Sequence, residues 1–140
     1  LRGSDKRRSF TKESATVLSL DDSVAAWKAA SSTATKYKGQ ALLFLHGFNY
    51  TFDDALVRAA QIAHDLAFDG PVFVFSWPSQ GDWSLTSYTA DRERVLSSRD
   101  RLLTFMELIA RSSGAAKINV VAHSMGNFAL VEIHCQRRYD

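Results

Sequence analysis

Three short runs decide most of what this chain can become: ALLFLH (41–46), PVFVFSW (71–77) and KINVVAH (117–123). Each is nearly continuous in apolar side chains and rich in branched or aromatic residues. A strand with one wet face alternates apolar with polar residues, whereas unbroken apolarity means that both faces are covered. This is the pattern of parallel strands packed between helices. The intervening segments carry a helical period. Thr51 is a suitable N-cap with Asp54 three residues on, and Phe52, Leu56, Ala59, Ile62, Ala63 and Leu66 form one stripe that Gly70-Pro71 ends. A second helix is expected from about Asp91 to Arg111, with Val95, Leu102, Leu103, Met106 and Ile109 on one side and Gly114 beyond its end. A third starts at Met125 and is still running at Asp140. Strand and helix in threefold alternation predict right-handed crossovers and an α/β three-layer sandwich with a mostly parallel sheet.

Ahead of the first run, DDSVAAWKAASSTA places Val24, Trp27, Ser31 and Ala34 at helical spacing, with Asp22 or Ser23 as N-cap. Residues 1–20 are polar and aperiodic and read as a tail or extended lead-in, with the opening LRGS set aside from fold reasoning. Residues 21–140 then form one domain, and with only three strands it is expected to be part of a larger sheet. A net charge of +2 is too small to argue for nucleic acid, and the basic runs DKRRSFTK and QRRYD near the two ends read as solvated surface. No apolar run approaches the roughly 18 residues of a membrane span, so no span is expected. The N-terminus has no hydrophobic signal region, which leaves the compartment open: cytoplasmic, or exported after signal removal. The single cysteine, Cys135, excludes an internal disulfide and is expected as a small core residue on an apolar helix face.

The chemistry concentrates in INVVAHSMGNFAL, Ile118 to Leu130. Ala122-His123-Ser124-Met125-Gly126 fits the nucleophile-elbow pattern, with Ala in place of the usual first Gly. A sharp strand-to-helix turn lifts the serine hydroxyl out of the sheet edge in a strained backbone conformation, and small residues two before and two after let that turn close. The following helix N-terminus favours developing negative charge. A plain helix N-cap serine is the bland alternative; placement between an apolar strand and an apolar helix favours the elbow. The second feature is LFLHGFNYTF, where a strand ends in His46-Gly47 and turns before a capped helix. A loop in this position supplies one oxyanion donor in acyl-transfer hydrolases and the residue after the nucleophile supplies the other, which makes the Phe48 and Met125 amides the candidates. Gly47 permits the backbone that aims the first donor, and His46 is read as bracing the turn rather than transferring protons. In SWPSQGDWSL, Pro78 and Gly81 mark a loop at a strand's C-terminal end. Trp77, Trp83 and Tyr88 are the candidate lining of an acyl or aromatic pocket, with half-exposed packing as the alternative.

Together, the paired His-Gly and His-Ser-Met-Gly resemble the α/β-hydrolase superfamily. More narrowly, LHGFNYTFDDAL, VFVFSWPSQG and VVAHSMGN are similar to a group of bacterial α/β-hydrolases of uncharacterised activity, over roughly Gln40 to Cys135. The resemblance implies an eight-stranded fold, a Ser–Asp/Glu–His triad and hydrolysis of ester-like bonds in a small-molecule or lipid-like acyl substrate, with no cofactor and no metal. The chain departs from the pattern in one respect. Triad order is Ser, acid, His, and sixteen residues follow Ser124. His134 lies on the same helix facing away from the elbow, His123 is the serine's neighbour, His64 is mid-helix, and Asp65 and Asp140 are not at strand ends. The expectation is therefore that base and acid lie outside these 140 residues, that the chain alone is inactive, and that its cut sheet self-associates. The competing reading is a non-catalytic interaction or regulatory module on the same fold. A flavodoxin-like phosphate binder is disfavoured because no glycine-rich phosphate loop is present.

Overall fold

The computed structural model describes residues 10, 12–79 and 85–136. Its elements run α1 (Leu20–Thr33), β1 (Gln40–Leu45), α2 (Phe52–Asp65), β2 (Val72–Phe75), α3 (Leu85–Ser97), α4 (Arg99–Ser112), β3 (Lys117–Ala122) and α5 (Gly126–Gln136). The three apolar runs are the three strands, all parallel, in the order β2-β1-β3. Leu42 pairs with Val72 and Leu45 with Phe75 on one side of β1, while Gln40 pairs with Lys117 and Leu45 with Ala122 on the other. Strand β1, central among these three, is buried from Ala41 to Leu45, which accounts for its unbroken apolar run.

Alternation along β1 separates two cores. Ala41, Leu43 and Leu45 join Phe73, Trp77, Val95, Leu102, Ile109, Ala129 and Ile133 in the larger one, where Trp27 also packs. Helices α1, α3, α4 and α5 therefore share that face. Phe44 on the opposite face meets Ala55 and Ala59 of α2, with Ile62, Val74 and Val121 around them. The result is the three-layer α/β arrangement expected from sequence.

Helix boundaries follow the caps. Helix α1 begins after Ser19, whose Oγ accepts the Asp22 N–H, not after Asp22 or Ser23 as expected. Ser31 on its stripe is buried and donates to Ser113 O at 2.6 Å. Thr51 and Asp54 form the full capping box at the start of α2. The buried stripe of α2 is narrower than the sequence suggests: alanines 55 and 59 touch the sheet, while Phe52 and Leu66 at its two ends lie exposed. Nor does the helix wait for Gly70-Pro71. It ends at Asp65, where Ala67 at φ 49° lets its own N–H reach His64 O and the Phe68 N–H reach Ala63 O.

The single helix expected from Asp91 to Arg111 is two helices, beginning six residues earlier and broken at Ser98. Ser98 has φ −85° and ψ −3°, and the hydroxyls of both Ser97 and Ser98 donate to Arg94 O. Hydroxyls competing for an i−3 or i−4 carbonyl bend helices in this way. Cys135 is exposed, contrary to expectation, because α5 buries Ala129 and Ile133 and the cysteine lies off that stripe.

Candidate active site at the C-terminal sheet edge

The loops leaving β1 and β3 meet side by side at the C-terminal ends of the strands. Leu45 O accepts the His123 N–H at 3.0 Å, carrying the ladder one residue beyond β3. The chain then reverses through Ser124, whose φ of 49° is left-handed, and enters α5 two residues later. A side-chain-bearing residue in that region is held there by its surroundings. Here the holding groups are identifiable. Gly126 N–H donates to His123 O at 3.0 Å, and the Asn127 side chain donates to Ala122 O at 3.2 Å and Ser124 O at 3.0 Å. Asn127 thus clips the turn shut from the first turn of the helix, a role its sequence position does not announce.

Two glycines allow the loops to touch. A Cβ on Gly126 would lie 2.6 Å from His46 O and 3.0 Å from Leu45 O; one on Gly47 would lie 2.9 Å from His123 O and 3.0 Å from Ser124 Cβ. Each loop therefore presents a glycine to the other's backbone. Gly47 lies directly against Ser124, and Phe48 is the next residue along.

His46 is fully buried and lies between Tyr50 and Trp77, with ring centroids 5.8 Å and 4.9 Å away. The Trp77 N–H donates to Nε2 at 3.1 Å, so Nε2 must carry a lone pair; Nδ1 then holds the proton and donates to Gly47 O at 2.9 Å. Burial, the largest influence, pushes its pKa below the ordinary histidine value, which keeps the ring neutral. The Trp77 indole N–H returns a bond to His46 O at 3.0 Å. Through these bonds His46 ties the β1 loop to the segment after β2.

The remaining candidates fall as follows. Ser124 is exposed, and Met125 beneath it is 2% exposed. Ala122 ends β3 opposite Leu45. Trp77 is a core residue with almost no solvent-facing surface, so its ring is not an open pocket wall. Tyr88 is half-exposed and meets Phe48 edge-on at 5.5 Å. Trp83, Gly81 and Asp140 lie outside the described residues. His64 is exposed on α2, 3.3 Å from Asp65; His123 faces Tyr50 at 5.8 Å; His134 is exposed on α5. Among the described residues, none forms a hydrogen bond with the Ser124 hydroxyl.

A second network was not evident from sequence. Asn49, at φ 60°, donates its N–H to Ser79 Oγ at 3.0 Å, and Ser79 donates to the buried Asp91 at 2.6 Å. Asp91 also accepts from Arg94 at 2.9 Å.

A parallel sheet covered by helices, with a strained serine turn at its C-terminal edge, is the arrangement of the α/β-hydrolases. Within that class the chain belongs to an alpha/beta hydrolase family of unknown function, DUF900, whose profile matches residues 23–138. Neither the curated proteins nor the solved structures give a significant match. No helix among the described residues is long and apolar enough to cross a membrane.

Proposed function

We propose that this protein is a serine hydrolase that cleaves ester-like bonds, carboxylic esters or related acyl compounds, with Ser124 as the nucleophile. The observation that carries the reading is the left-handed Ser124 at the strand-to-helix turn, pressed against Gly47 of the neighbouring loop. That backbone directs the hydroxyl away from the sheet at the start of α5, where helix N–H groups favour negative charge.

In the proposed reaction Ser124 Oγ attacks the acyl carbonyl and gives its proton to a base that no described residue supplies. The carbonyl oxygen becomes an oxyanion that accepts hydrogen bonds from the Phe48 and Met125 amides. Collapse of the tetrahedral species expels the alcohol and leaves an acyl-serine, which water then hydrolyses to the acid and free Ser124. Gly47, Gly126, Ala122 and His46 shape and brace the two loops, and Tyr88 with Phe48 flanks the acyl entrance.

The test compares the intact protein with its Ser124→Ala variant on p-nitrophenyl esters and a fluorophosphonate probe. Loss of the nucleophile is expected to lower turnover by at least ~10³-fold and abolish labelling. Equal rates for the two proteins would instead favour a non-catalytic binding module on the hydrolase fold.

A further inference from the structure

We propose that Asp91, acting through Ser79, is a positioning residue that fixes the Phe48–Asn49 backbone and with it the oxyanion-binding amide. The inference rests on the serine-hydrolase reading above and extends it to a residue on α3 that no sequence pattern singles out.

The loop leaving β1 is held from the segment leaving β2 at two points. At the front, Trp77 donates its backbone and indole N–H groups to His46 Nε2 and His46 O, at 3.1 Å and 3.0 Å. At the rear, Asn49 donates its N–H to Ser79 Oγ at 3.0 Å. Phe48 lies between the two braces. Asn49 has φ 60°, a conformation that a residue with a side chain keeps only under restraint, although Asn tolerates it better than most. Releasing the rear brace frees Asn49 to return to ordinary backbone angles; the peptide unit joining Phe48 to Asn49 turns with it, and the Phe48 N–H one unit back loses its aim.

Direction is what Asp91 contributes. A serine hydroxyl has one proton and rotates to suit its neighbours. At 2.6 Å the Asp91 Oδ2 takes that proton, which leaves the Ser79 lone pairs for Asn49. The other carboxylate oxygen accepts from Arg94 Nη1 at 2.9 Å, which offsets the desolvation of a side chain with no solvent exposure. The chain thus carries a buried, paired carboxylate one hydroxyl away from the oxyanion loop.

The experiment uses the intact protein and p-nitrophenyl acetate, with amide hydrogen exchange at Asn49 as a second readout. S79A is expected to lower kcat about tenfold with little change in KM, since misplacing a donor costs less than the roughly 10²-fold or more of removing one. S79T, which keeps the hydroxyl, restores kcat, and Asn49 exchange accelerates in S79A but not in S79T. D91N retains the side-chain shape; it should lower kcat with Ser79 present and have no further effect in the S79A background. Equal kcat for S79A and wild type, or a D91N effect that is the same in both backgrounds, overturns the inference while the hydrolase reading stands. Wild-type activity no greater than that of S124A overturns the hydrolase reading itself, and the inference with it.

Discussion

The two ends of the sheet solve the same problem differently. At the end where the strands begin, the turns before β1 and β3 take left-handed backbone on glycines, Gly39 at φ 69° and Gly114 at φ 77°. Asp69 gathers the segment before β1 by accepting the Thr35, Lys36 and Tyr37 N–H groups at 2.7, 2.8 and 2.9 Å. At the end where the strands finish, left-handed backbone falls on Asn49 and Ser124, and the glycines are used for close approach between loops. Glycine adopts φ > 0 without steric cost, and a residue with a side chain does not. Around β1 and β3 the left-handed positions are thus glycines at the strand starts and side-chain-bearing residues at the strand ends, with Ala67 ahead of β2 the one described non-glycine that takes this backbone at the starting end.

This contrast is most strongly tested by adding one methyl group at each end. Gly126→Ala puts a Cβ 2.6 Å from His46 O and 3.0 Å from Leu45 O, backbone atoms that cannot step aside. It should destabilise by roughly 2–3 kcal/mol and displace the serine turn. Gly47→Ala should act similarly, somewhat softened because one of its contacts is the movable His123 ring. Gly39→Ala meets nothing within 4 Å and suffers only the left-handed penalty, about 1 kcal/mol. Urea unfolding of the three variants reads the order directly. If Gly39→Ala is the most damaging, the two ends are not specialised as argued.

Asn127 gives the next smaller effect. Replacing it with Ala removes two donors from Ala122 O and Ser124 O on an exposed turn, and should cost about 1 kcal/mol. Fluorophosphonate labelling of Ser124 should slow as the turn loosens. Unchanged labelling would show that the backbone bonds at the start of α5 suffice.

What was legible in the sequence follows from how burial is recorded. Strands covered on both faces leave continuous apolar runs, so β1, β2, β3 and their parallel pairing could be read in advance. Residues 122–126 were legible because a tight turn restricts side-chain size at fixed spacing. The break at Ser98 was hidden because Val95, Leu102 and Ile109, all buried, keep helical register across it. Trp77 reads as a pocket aromatic at a strand end, yet it closes the core because β2 stops at Phe75 and the chain folds it back over His46. Asp91 resembles any solvent-facing helix carboxylate; only the tertiary approach of Ser79 reveals that it is buried. Asn127 was hidden for the same reason, since bonds from a side chain to turn carbonyls leave no periodic trace.

The pH dependence of stability separates the two ends further. His46 has its pKa lowered chiefly by burial, against opposing contributions from its bond to Gly47 O and from the Asp91 charge. As pH falls below the ordinary value of 6.5, the unfolded chain takes up a proton that the folded chain refuses. Stability from this group is therefore full above that value and declines below it. The protonated ring would also turn an N–H toward the Trp77 N–H. The thermal midpoint should fall between pH 7.5 and pH 5.5, and His46→Gln should flatten the slope. Parallel slopes in the two proteins would assign the effect elsewhere.

The smallest effect is expected at Asp69. Three backbone N–H groups, that of Lys36 foremost, hold its carboxyl well below the ordinary carboxylate range. A depressed carboxylate stabilises the fold above its unfolded value of 3.8, and that contribution is lost as pH falls below it, the opposite end of the scale from His46. The group is exposed, so water and salt screen it, and the amides it holds are exposed as well and can turn to water when it is removed. Asp69→Ala should therefore change stability at pH 7 only slightly, while amide exchange at Thr35, Lys36 and Tyr37 accelerates. It should also leave the reactivity of Ser124 untouched, because the clasp lies at the far end of β1 from the serine turn. A slowing of Ser124 labelling comparable to that of Gly126→Ala would mean that the two ends are mechanically coupled through β1, and the division of labour between them would fail.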